Sequence, residues 1–297
     1  MKRIPYALVD VFAPAPGAGN RVAVVLDARG MSPEEMQAVA QSLGAAEAAF
    51  LLERTGAALS VRFFAPGGEV EFSGHAAVAV GLTAARTGLV PEGTTRLYLH
   101  TPTEVLPVEL VLEAGEPRKA WVRGPAPRFR DLPPYRALRE VLEALGSDER
   151  YLHRGLPYGV AFTRLWSLFV PLIAPGVVDA LEPEMERLKA LCFRLDVATV
   201  HAYAPMGPRS FYARDFAPLL GIPEDPVTGS ANAALGALLA RAGVVPRREG
   251  KVLLTVYQGH HLGNPGVVEV QVEYSPTGEP YSVQIGGEAV IVQTGEV

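Results

Sequence analysis

Apolar and polar positions alternate with period two along much of this chain, which is the mark of strands with one buried face. The alternation predicts strands over residues 6–12, 21–26, 46–52, 59–64, 95–100, 105–113 and from 118 to 123. Further strands are expected over the apolar run 165–173 and over 197–203, 209–214, 251–258, 267–274, 281–285 and 289–293. Helical spacing interrupts it over 33–43, 135–145 and 183–191. The first of these helices opens on Ser32-Pro33-Glu34-Glu35, a capping box with Pro at the first helical position, and Gly44 ends it.

Two stretches break both periods, because they are apolar all round and built from small residues. Ala76 to Ala85 follows Glu71-Phe72-Ser73-Gly74-His75, and Ala231 to Ala240 follows Glu224-Asp225-Pro226-Val227-Thr228-Gly229-Ser230. A helix apolar on every face is expected to be buried. Ala and Gly let strands approach it closely, and Ala keeps helix propensity. Laying Gly74 on Gly229 brings the helices into step and puts Gly81 on Gly236. Each turn also follows an aromatic strand, Val61-Arg62-Phe63-Phe64 in one case and Ser210-Phe211-Tyr212-Ala213 in the other. This reads as a diverged internal duplication. The fold expected is α+β, with two pseudo-symmetric lobes, each a curved, mostly antiparallel sheet wrapped around one buried helix. The lobes are expected over 1–117, with a returning strand near 286–297, and over 118–285.

Composition narrows the function. Of 297 residues, 48% are hydrophobic and 20% charged, a balance that gives a well-cored globular chain. The net charge of −5 carries no basic stripe interleaved with aromatics, so nucleic acid is not an expected partner. Apolar runs are broken before about 18 residues, so no membrane span is expected. The single cysteine, Cys192, excludes an internal disulfide and a thiolate cluster and fits a reducing cytoplasm. Gly17 and Gly19 open a strand and not a helix, which rejects a dinucleotide fingerprint, and no P-loop occurs. His260 and His261 point to opposite faces of an expected strand, so no metal site is assigned. His153 and His201 have no local partners in sequence and are expected to be structural or exposed.

The residues that can do chemistry gather at the two turns and on one strand. A Thr-Gly-Ser turn at a helix start offers backbone N–H groups, a hydroxyl and the positive end of a dipole, which suits a small anion. Asp225 stands just before it. Glu47 lies among Ala46, Ala48, Ala49 and Phe50, where burial is expected to raise its pKa. One carboxylate can take a proton from one carbon and return it to another, a role contributing about 10²–10⁴-fold. The residues alone leave plainer roles open: an edge-strand Glu facing water, a His bonding at a helix start, a turn Asp, and Ser230 as a cap.

Read together and in order, Val9-Asp10-Val11-Phe12, Gly19-Asn20, Val24-Val25-Leu26, Ala46-Glu47-Ala48-Ala49-Phe50 and Phe63-Phe64-Ala65-Pro66 carry a resemblance. So do Glu69-Val70, Gly74-His75, Asp225 through Ala231, Gln258-Gly259 and Ile285-Gly286-Gly287. The chain resembles the PhzF-like phenazine-biosynthesis isomerase family, with its diaminopimelate epimerase-like fold of two lobes. The resemblance implies a cytoplasmic, homodimeric, cofactor-independent isomerase that shifts a proton and double bond on a small carboxylate substrate in a biosynthetic process. It implies a site in the inter-lobe cleft, with Glu47 as acid and base, His75 and Asp225 beside the substrate, and Asn20, Gly74, Gly229 and Ser230 binding it. Arg21 and Asn264 depart from the family pattern, which usually has Pro and Arg at those places. The epimerase branches of the fold place two thiols at the turns, and this chain has none there. A lyase or a one-carboxylate racemase on the same site, or a non-enzymatic small-anion binder, remain as alternatives.

Overall fold

The computed structural model describes residues 3–297. Internal packing separates the chain into two compact units. One runs to Arg123 and is completed by Gly286–Val297, and the other is Gly124–Ile285.

In the first unit, β1 (Pro5–Val11) and β2 (Asn20–Val25) pair antiparallel, with Val11 opposite Asn20. Gly19 closes the loop between them at φ +68°, and a Cβ there would stand 2.0 Å from the carbonyl oxygen of Val11. That position therefore requires glycine. Helix α1 (Pro33–Ser42) keeps both halves of its capping box: the Ser32 hydroxyl accepts from the Glu35 N–H, and the Glu35 carboxylate accepts from the Ser32 N–H. β3 (Glu47–Thr55) returns parallel to β2, with Val22 opposite Glu47. β4 (Ala58–Ala65) pairs antiparallel with β3 and then with the short β5 (Gly68–Val70). Helix α2 (Gly74–Arg86) follows, and β6 (Arg96–His100) comes back parallel to β4. β7 (Val105–Glu113) and β8 (Glu116–Arg123) continue antiparallel.

Every residue of α2 from Ala76 to Ala84 is buried, packed by β1, β2, β3, β7 and β8. Its small side chains allow that approach. A Cβ on Gly81 would stand 2.7 Å from Val108 Cγ1 on β7. α1 covers another part of the sheet through Met36 and Ala40, against Phe50 and Phe64, whose rings meet edge to face at 5.3 Å.

The second unit begins with β9 (Arg128–Phe129) and α3 (Tyr135–Ala144). β10 (Gly159–Phe162) and β11 (Trp166–Pro171) are antiparallel; α4 (Pro175–Asp179) and α5 (Met185–Leu195) cross to β12 (Thr199–Gly207), which is parallel to β11. β13 (Ser210–Ala217) pairs antiparallel with β12 and with β14 (Ile222–Asp225). Helix α6 (Gly229–Arg241) precedes β15 (Lys251–Gln258), parallel to β13, and β16 (Gly266–Tyr274) closes antiparallel on β15. The succession of pairings from β10 to β16 is that from β1 to β7. From Ala231 to Ala240, α6 is buried, and a Cβ on Gly236 would stand 2.5 Å from Val270 Cγ1 on β16.

β17 (Pro280–Glu296) is one continuous strand, where the sequence pattern suggests two separated by Gly286-Gly287. The glycines read as a break but serve packing: a Cβ on Gly286 would fall 2.4 Å from the Trp121 indole, so the strand runs on beneath that ring. β17 pairs with β1 and with β8, so the pairings of the first unit close into a barrel-like ring. The fold is thus a mixed α/β one with a closed sheet and few helices. No helix among the described residues is long and apolar enough to cross a membrane.

Candidate active site

The first cluster is set by the start of β3 and the start of α2. Glu47 is the first residue of β3, and its side chain is 18% exposed; His75 is the second residue of α2, at 16%. Glu47 Oε2 and His75 Nε2 are 3.7 Å apart, and neither atom has a hydrogen-bond partner although both are buried. Burying such groups unsatisfied costs about 1–3 kcal/mol each, so the pair is held by the fold against its own preference. The other ring nitrogen, Nδ1, lies 3.4 Å from the Ser73 hydroxyl. Ser73 is the N-cap of α2 and accepts from the Ala76 N–H, which fixes the helix start beneath the imidazole. The first N–H groups of α2, from Gly74 on, project beyond the helix by its geometry.

The second cluster forms where β13, β14, β15 and the start of α6 meet. The Thr228 hydroxyl lies 2.8 Å from Asp225 Oδ2 and 3.2 Å from Asp215 Oδ2. Gln258, buried at the end of β15, fixes the turn from both ends of its amide. Its Oε1 accepts from the Thr228 N–H and from Asn232 Nδ2; its Nε2 donates to the Asp225 carbonyl and the Thr228 hydroxyl. Asp215 also faces His201, whose Nδ1 is 3.0 Å from Oδ1, and both side chains are fully enclosed. Thr228, not Ser230, is the N-cap; Ser230 is the second residue of the helix, and its carbonyl accepts from Thr163. The N–H groups of Gly229 and Ser230 belong to the first turn, where no intrahelical acceptor exists.

Asn20 is buried at the start of β2. Next to it, Arg21 makes a two-pronged ion pair with the buried Asp10, at 2.8 and 3.1 Å, and Asp10 also accepts from the Gly17 N–H. Arg21 thus braces the loop between β1 and β2. The Asn264 carbonyl packs against Gly259, where a Cβ would stand 2.2 Å from it, and that glycine has φ +88°. Among the described residues no three His, Cys, Asp or Glu gather as a metal-binding group.

The structure therefore groups Glu47, Gly74 and His75 within the first unit, and Asp225, Gly229 and Ser230 within the second. Asp215, His201 and Thr228 belong to the second group and were not marked as site residues by sequence. His201 is buried and paired with Asp215, which settles its role between the structural and exposed alternatives. Two acids ten residues apart carry no motif. Only the aromatic strand ahead of each turn hinted that β13 would supply one.

A family model described as phenazine biosynthesis-like protein, PhzC-PhzF, matches residues 9–295. An uncharacterized isomerase of Deinococcus radiodurans is 46% identical over 98% of this chain and 93% of that protein. A trans-2,3-dihydro-3-hydroxyanthranilate isomerase of Pseudomonas fluorescens is 30% identical over 98% of each. The crystal structure of a PhzF-family phenazine biosynthesis protein of Bacillus anthracis superposes with a TM-score of 0.89, at 29% identity, over 100% of this chain and 99% of that one. By sequence along nearly its whole length and by fold, the chain belongs to the PhzC-PhzF family of phenazine biosynthesis-like proteins.

Proposed function

We propose that this protein is an isomerase that shifts a proton, and with it a double bond, on a small carboxylate-bearing substrate without a cofactor. The enzyme class follows from the family, whose relatives include proteins named isomerases. The observation that supports the chemistry is the Glu47–His75 pair: two buried polar atoms, 3.7 Å apart, left without hydrogen-bond partners. A fold retains such atoms where they have chemistry to do.

In this reading Glu47 removes a proton from the acidic carbon and, as its conjugate acid, returns it to another carbon. His75 holds a polar group of the substrate beside the reacting carbon. The N–H groups of Gly74, Gly229 and Ser230 receive the carboxylate and the negative charge that grows on it, as helix starts do. Asn20 and Asp225 orient the remaining polar groups. Each lobe's sheet curves round its own helix, and the working form is a homodimer.

The test is turnover of amino-substituted dihydroxy ring acids in D2O by wild type and by Glu47→Gln. The expected result is deuterium at a carbon other than the one deprotonated, and a loss of about 10²–10⁴-fold in the variant. Incorporation at one carbon with inversion would make the protein a racemase. Weakened binding in Glu47→Gln, with no turnover by wild type on any acid, would make it an anion-binding protein.

A further inference from the structure

Away from its helix start, the second unit carries an open depression of about 650 Å³. It lies between the turn from β12 to β13 and the loop that leads into β15. Arg209, Arg247 and Arg248 line it, together with Ser210, Thr255 and Tyr257, and no acidic residue does. Ser210 and Thr255 stand opposite each other on the parallel strands β13 and β15. The chain as a whole has a net charge of −5, so three cations gathered without an acid reverse its field locally. None of these residues belongs to the clusters at the starts of α2 and α6.

The backbone presents these arginines in a fixed arrangement. Arg209 Nη2 donates to the Pro246 carbonyl at 3.1 Å, which ties the two walls of the depression together. The Arg247 guanidinium lies 3.5 Å from the centre of the Tyr274 ring, a cation–π contact that supports it without neutralising its charge. Arg248 and Lys251 exchange both backbone hydrogen bonds, at 2.8 and 2.9 Å. Between them Glu249 and Gly250 have φ of +50° and +75°, the signature of a tight two-residue hairpin turn. Lys251 is itself paired with Glu273 at 2.8 Å, and Glu249, at the tip of the turn, lines no part of the depression. Among the described residues, the Arg248 guanidinium has no hydrogen-bond or ion-pair partner, and no carboxylate pairs with Arg209 or Arg247.

We propose that this depression is a binding site for a small phosphate-bearing anion, a phosphate monoester or a pyrophosphate. A carboxylate offers one charge and two oxygens in a plane. A phosphate monoester carries about −1.5 to −2 at pH 7 and three acceptor oxygens pointing in different directions. That geometry suits guanidinium forks arriving from two separate turns. The Ser210 and Thr255 hydroxyls can donate to further oxygens, and the Tyr257 ring gives the organic part of an ester a surface to lie on. The volume falls within the range of about 300–1,000 Å³ that small-molecule sites occupy. Arginines already held in place lose little freedom when the anion arrives.

The test is isothermal titration calorimetry of the whole protein with inorganic pyrophosphate and inorganic phosphate, beside co-sedimentation with vesicles containing phosphatidic acid. Wild type should bind pyrophosphate, more tightly than phosphate and more weakly as sodium chloride is added, and should ignore the vesicles. Arg248→Ala leaves the hydrogen bonds within the protein in place and should weaken pyrophosphate about fivefold. Arg209→Lys keeps the charge but loses the fork, and should also bind more weakly than wild type. Arg136→Ala on α3 removes the same charge from a side chain outside the depression and should change nothing. No binding of pyrophosphate by wild type, or an equal loss in Arg136→Ala and Arg248→Ala, would overturn the site. Sedimentation with the vesicles that Arg248→Ala abolishes, without pyrophosphate binding, would overturn the soluble anion in favour of a lipid headgroup.

Discussion

Gly236→Ala adds one methyl group where α6 lies against β16. Its Cβ would stand 2.5 Å from Val270 Cγ1 and 3.3 Å from Val270 Cβ. Carbon atoms rest about 3.5–4.0 Å apart, so one element must give by about 1 Å. Rotating the valine moves Cγ1 but leaves Cβ too close. Overpacking of this kind costs about 1–3 kcal/mol. Replacing Gly by Ala inside a helix returns about 1 kcal/mol of propensity. The net is a loss of about 1 kcal/mol, which for a unit of this size lowers Tm by about 2–4 °C. Thermal unfolding followed by circular dichroism measures it, and the cycle with Val270→Ala isolates its origin. Val270→Ala removes the obstructing methyls, so the double variant should be more stable than the two single losses added, by about 1 kcal/mol. A Gly236→Ala protein more stable than wild type, or strictly additive losses, would refute the claim that glycine is there for close approach. The equivalent cycle of Gly81→Ala with Val108→Ala, where the contact is 2.7 Å, should behave the same way in the other unit.

Glu47→Gln should leave Tm unchanged or raise it by about 1 kcal/mol equivalent, because it removes a buried carboxylate oxygen with no hydrogen-bond partner; a marked drop in thermal unfolding would make Glu47 structural. Arg214→Ala should destabilise by about 3–5 kcal/mol in urea titration, since it strands the Glu224 carboxylate and three backbone carbonyls. Cys192 should resist alkylation until the protein unfolds, its buried thiol being held neutral. Its thiol ionises in the unfolded chain near 9.0 and in the folded one at about 12. The folded state therefore binds the extra proton in between, and its contribution to stability is full below about pH 9 and falls as pH rises to about 12. Cys192→Ala should flatten that part of the stability curve.

The parts of the fold that follow from side-chain period were legible in sequence. The Ser32–Glu35 box begins α1, and strands β7 and β15 keep the bounds that alternation gives them. Short elements were not. β10 has four residues, and β5 and β14 are fixed by pairing with β4 and β13 rather than by their own pattern. Gly286-Gly287 looked like a break because a strand glycine usually weakens pairing, and only Trp121 lying across it explains the continuity. At the candidate site, Glu47 was visible as an acid on an apolar strand and His75 as a base type beside a turn. Asp215 and His201 were not, because their partnership spans fourteen residues and depends on β12 and β13 lying antiparallel with those two positions opposed.

The last strand of the chain lies against the first. Ile4 exchanges both backbone hydrogen bonds with Val297, and β1 takes most of its partners from residues beyond 288. A ribosome adding about 5–20 residues per second needs roughly 15–60 s to travel from one to the other. Until then β1 waits with one edge bare, while residues 124–285 have already emerged as an unbroken stretch able to close by themselves. The ring of the first unit, although most of its strands are synthesised first, therefore cannot close until the last dozen residues have been made.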